Sequence, residues 1–133
     1  MAENTIQDTA REAEDVILDL KARGNGRLAL TTSQIRKFLA AVNALTNKID
    51  MFRTRGEKSD VLTPELAAEV KFLKVKLAYQ AGKDQHGNVR DFVEKAQLRQ
   101  RLDRIGTSIR AYENFARYME ALVAYHKFHG GRD

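Results

Sequence analysis

The sequence has no cysteine, no tryptophan, a single proline (Pro64) and no long apolar run. Each absence removes a class of protein. Without cysteine there are no disulfides and no thiolate metal sites, which suits a cytoplasmic protein. No stretch approaches the ~18 consecutive apolar residues of a membrane span, so no membrane partner is expected. The opening MAENTIQDTAREAED is acidic and polar, unlike the basic start and apolar run of a signal peptide. No HExxH, P-loop, GxGxxG or nucleophile elbow occurs, so no catalytic residue and no cofactor is expected.

Histidine is also scarce. His126 and His129 stand three apart near the C-terminus and can both reach one metal, but no third ligand lies nearby. Pairing with the helix dipole is the preferred reading for them, and no metal site is expected. His86 sits beside Asp84 and Gly87 and reads as part of a solvated turn.

What is present is charge and helical periodicity. The 133 residues fit one compact domain, with a net charge of +5. The charge is unevenly spread: residues 1–20 hold Arg11 against six acids, whereas 21–60 hold nine cations against three acids. A basic body favours polyanions, although a solvated mixed-charge surface accounts for charge alone equally well.

Apolar spacing predicts an all-α bundle of about five helices in a single domain, with a loose extreme N-terminus and a loose GGRD tail. The helices fall near 4–22, 32–53, 64–81, 89–105 and 108–128, separated by RGNGR, RGEKSD, GKDQHGN and Gly106-Thr107. Thr63 caps the third, with Pro64 in its first turn, where a missing N–H costs nothing. That helix is apolar on more than one side, since Phe72, Val75 and Tyr79 lie off the stripe Leu66, Val70, Leu73, Leu77, and it therefore reads as central. The last helix carries two apolar rows, and a wide core-facing stripe is favoured over a core plus a subunit contact.

The stretch LTTSQIRKF at 30–38 specifies a helix start. Thr31 and Gln34 have capping-box spacing, and Leu30 and Ile35 have that of a hydrophobic staple. Losing such a cap costs on the order of 1 kcal/mol. Arg36 and Lys37 follow at once and do not stabilise a helix N-terminus. With about 100° per residue, Lys37, Lys48 and Arg55 align on one flank of the buried face, with the short Ala41 and Ala44 between them. Such a rail can track a phosphate backbone with little base preference. Lysines off the buried face of an ordinary amphipathic helix give the same pattern. In the next helix Lys71 and Lys74 share a face, and Lys76 points elsewhere. Tyr79 reads as a core-edge tyrosine, with stacking on a base as the alternative.

Three blocks, LTTSQIRKFLAAV (30–42), FLKVKLAYQAGKD (72–84) and FARYMEALVAYHKFHGG (115–131), together resemble the small helical subunit of type III-A CRISPR effector complexes. The resemblance spans roughly residues 30–131. It implies a non-catalytic, all-α subunit whose copies stack beside the backbone subunits that hold the guide RNA. It further implies that the subunit lines the guide–target channel and contacts target RNA through its backbone, with cleavage left to other subunits. The expected partners are guide RNA, target RNA, other subunits of the effector complex and further copies of itself. Arg36 and Lys37 lie in the first block, Lys74 and Lys76 in the second with Lys71 beside it, and Lys127 in the third. Lys48, Arg53 and Arg55 enter the RNA-binding set through the rail. Stacked copies need two complementary patches, and the acidic first helix with Glu12, Asp15 and Asp19 against the basic middle supplies a pair. The alternatives are a helical assembly module whose charges serve protein contacts alone, and an all-α enzyme with an unmarked pocket.

Overall fold

The computed structural model describes residues 6–54 and 59–133. Six helices are present among them: α1 (Ile6–Arg23), α2 (Thr32–Thr54), α3 (Pro64–Lys83), α4 (Asn88–Lys95), α5 (Leu98–Ile105) and α6 (Ile109–Phe128). The fold is all-α, and β-type pairing among the described residues is confined to an isolated bridge between Val61 and Ser108.

The sixth helix arises because the predicted fourth one breaks. Gln97 adopts a left-handed conformation at φ 55° and separates α4 from α5. A β-carbon makes that conformation unfavourable, so the break is held from outside the helix. The Ala96 carbonyl accepts from the Tyr118 hydroxyl at 3.0 Å and from Arg101 Nε at 3.2 Å. Ala96 is buried, and the Arg101 guanidinium lies 3.7 Å from the centre of the Tyr118 ring.

The central helix is α6, not α3. It packs against α1, α2 and α5, whereas α3 rests on α2, α4 and α5. Both apolar rows of α6 turn inward: Ile109, Tyr112, Phe115, Tyr118, Met119 and Leu122 are all buried, so the wide core-facing stripe holds. Its start is clamped by the loop before α3. Asp60 accepts from Ser108 Oγ and from the Arg110 and Ile109 N–H groups, and Ser108 Oγ accepts in turn from the Ala111 N–H.

The N-terminus of α2 is built as its sequence dictates. The Thr31 N–H donates to Gln34 Oε1 at 2.9 Å, and the Gln34 N–H donates to Thr31 Oγ1 at 3.1 Å. Leu30 and Ile35 are both buried. The tail expected to be loose packs against this start instead. The Thr32 N–H donates to the Arg132 carbonyl at 2.9 Å, and the Gly131 N–H donates to the His126 carbonyl at 2.7 Å. Gly131 passes so close to the His126 ring that a β-carbon there would overlap it.

Candidate nucleic-acid interface

Lys48 and Glu69 join at 2.7 Å between α2 and α3, while Lys37 lines one groove with Lys76, Tyr79 and Gln80 toward the other end of the pair. The two helices therefore run antiparallel, and their outer seam is a groove of about 330 Å³. Phe38 and Ala41 of α2 and Phe72 and Val75 of α3 form its apolar wall. Its charged lining is Lys37 and Lys76, with no acid.

The groove continues onto the outer face of α3. Phe72, Val75 and Tyr79 are 55%, 54% and 65% exposed, so the off-stripe residues that made α3 read as central face outward, and Tyr79 is not a core-edge residue. At about 100° per residue they centre roughly 160° from the stripe Leu66, Val70, Leu73, Leu77. Lys71 and Lys76 flank them, each about 70° away. The Lys83 ammonium lies 5.7 Å from the centre of the Tyr79 ring. From Val70 to Lys83 this helix has four lysines and no acid.

The nine cations of the expected set divide sharply. Lys37 and Lys76 line the groove, Lys71 is exposed across the outer face of α3 from it, and none of the three has an ion pair among the described residues. Lys48 is held by Glu69, Lys74 by Asp103 at 2.7 Å, and Arg53 lies 3.5 Å from Glu113. Arg36 is exposed on another face of α2, a turn of about 100° from Lys37. Lys127 is exposed in the last turn of α6. Arg55 lies outside the described residues. The rail is thus an unpaired end at Lys37 and a tethered middle at Lys48, extended by the lysines of α3 rather than along α2 alone.

The acids of α1 are largely engaged within the subunit. Glu12 pairs with Arg101 at 2.5 Å, Asp19 with Arg23 and Lys95, and Glu14 with His129 at 2.8 Å. Asp15 remains exposed. Of the three acids expected to dock a neighbouring copy, Glu12 and Asp19 therefore bind α5 and α4 of their own chain. The two C-terminal histidines also part company. His126 is fully buried and its Nε2 donates to the Leu30 carbonyl at 2.7 Å, so it is a core residue rather than a dipole partner.

A family model described as Csm2 Type III-A matches residues 3–132. The chain belongs to the type III-A Csm2 family. A protein of Streptococcus thermophilus named CRISPR system Cms protein Csm2 is 40% identical over 133 residues, all of both chains. One of the same name from Mycobacterium tuberculosis is 33% identical over 130 residues, 98% of each. A third, from Enterococcus italicus, is 31% identical over 102 residues, covering 75% of this chain and 68% of its own. The family resemblance seen in the three sequence blocks is thus shown along nearly the whole chain, the acidic first helix included.

One structural feature of this chain carries no mark in its sequence. Arg101 joins Glu12, Tyr118 and Ala96 across three helices, and its sequence neighbours LRQRLDRI carry no mark of that role. The outward face of α3 had a signal in the sequence, since Phe72, Val75 and Tyr79 were visible off the stripe. Their apolar character led to an interior placement instead.

Proposed function

We propose that this Csm2-family chain is a non-catalytic small subunit of a type III-A CRISPR effector complex, lining the guide–target channel and holding RNA by its phosphates. The observation that carries the reading is the α2–α3 seam, where Lys37 and Lys76 line the groove with no acid, together with Lys71 exposed on the far side of the outward apolar face of α3. Phosphate contacts supply affinity and register without reading sequence, which suits a subunit beside a strand whose sequence is read by guide pairing. Copies of the chain and the other subunits of the complex are its protein partners on this reading, and the cytoplasm is its location.

The test is purification of the tagged chain from its native cell. Guide RNA and the larger effector subunits should come with it, and Lys37→Ala, Lys71→Ala and Lys76→Ala together should lower the RNA recovered per copy of the chain. Recovery of the chain free of both RNA and other effector subunits would contradict the proposal. Full RNA recovery by the triple variant would move RNA binding away from the α2–α3 seam.

A further inference from the structure

Lysines explain how the seam attracts phosphate, but not why the face between them is apolar. A helix face turned away from the core is ordinarily polar. Here the outward face of α3 presents two aromatic rings and a valine, each more than half exposed. It is bordered by Lys71 on one side and Lys76 and Lys83 on the other, and the groove beside it adds Lys37. Its complement is a partner that is anionic and also offers flat apolar surfaces.

We infer that Phe72 and Tyr79 are a stacking platform for unpaired bases of single-stranded RNA, whose phosphates lie on Lys37, Lys71 and Lys76. This rests on the RNA-binding reading above and extends it from the guide-paired strand to stretches of RNA outside the pairing, whose bases are free to stack. Seven residues separate the two rings, which places them about 10 Å apart along the helix axis. That leaves a separate surface for each base, with Val75 between them. Stacking is tolerant of sequence because every base has a π-face. The platform therefore discriminates between unpaired and paired strands without reading which bases are present.

Charge complementarity favours RNA over a second copy of this chain as the occupant. A docking copy would have to bring an acidic, apolar surface, and the acidic helix α1 already holds Glu12, Glu14 and Asp19 in pairs within its own subunit. RNA brings one phosphate per nucleotide together with its aromatic base.

The test compares the full chain, wild type and Tyr79→Leu, on a short oligouridine and on an abasic ribose-phosphate strand of equal length. Leucine keeps an apolar side chain and removes the ring. The expected result is that removing the bases weakens wild-type binding about a hundredfold, and that Tyr79→Leu loses about tenfold on oligouridine and little on the abasic strand. Phe72→Leu should behave in the same way, and both variants should keep the wild-type melting temperature because the rings are exposed. Equal wild-type binding to both strands overturns the platform and leaves phosphate binding standing. So does oligouridine binding unaffected by either leucine. Loss of self-association on sedimentation, with RNA affinity intact, would reassign the face to a protein contact and also overturn it. Failure of wild type to bind either strand at low salt overturns both the platform and the RNA reading.

Discussion

His126 shows how one side chain can tie three segments together. Its Nε2–H donates to Leu30 beside the α2 cap, its carbonyl accepts from Gly131, and its ring lies against the backbone of that glycine. Burial pushes its pKa below the ordinary 6.5, outweighing the bond to Leu30, which raises it; Lys127 lowers it further. Because the folded value is depressed, the unfolded chain binds a proton that the folded chain resists. The stabilisation is therefore complete above about pH 6.5 and is lost as pH falls from there through the depressed value. Urea midpoints measured from about pH 7.5 to 5.5 should fall for wild type, and more shallowly for His126→Gln. Equal slopes in the two proteins would contradict this assignment. The pairing of His126 with Leu30 was not legible in the sequence, because it joins residues 96 apart and a histidine carries no sign of its burial.

At the scale of the helices, the sequence carries the structure wherever neighbouring residues decide it. The capping box at Thr31 and Gln34, the Thr63 cap and the break at Gly106 depend on contacts a few residues apart. The split between α4 and α5 depends on Tyr118 and Arg101 drawing on the Ala96 carbonyl, so the periodicity of 89–105 alone suggested one helix. The placement of α3 failed for a related reason. Apolar residues on two sides mark a helix with two apolar faces, without saying which of them is turned to the core and which to solvent. The strain at Gln97 gives a direct test. A non-glycine residue in the left-handed region costs roughly 1–2 kcal/mol, partly offset in a glycine variant by greater unfolded-chain entropy. Gln97→Gly should therefore be neutral or stabilise by up to about 1 kcal/mol in urea denaturation, whereas Gln97→Val should destabilise. A clear loss of stability in the glycine variant would show that the Gln97 side chain supports the break.

For the whole molecule, the division of charge matters more than its net sign. Glu12, Glu14 and Asp19 of α1 are drawn into pairs with α5, His129 and α4, while three lysines of α2 and α3 stay exposed without an ion pair among the described residues. The basic body was evident from the sequence, but which cations were unpaired was not, because pairs such as Lys48–Glu69, Lys74–Asp103 and Arg53–Glu113 form between separate helices. Exposed pairs of this kind add roughly 0–1 kcal/mol to stability, so their main effect is on where the uncompensated charge lies. The uncompensated charge on the α2–α3 side is the basis of the functional proposal. It is tested most directly by the salt dependence of single-stranded RNA affinity, measured for wild type and for the Lys37→Ala, Lys71→Ala, Lys76→Ala variant. Each phosphate contact on a single strand contributes a slope of about −0.7 in log K against log salt, so the triple variant should bind more weakly with a slope shallower by about 2. A folded triple variant with unchanged affinity and slope would contradict the account.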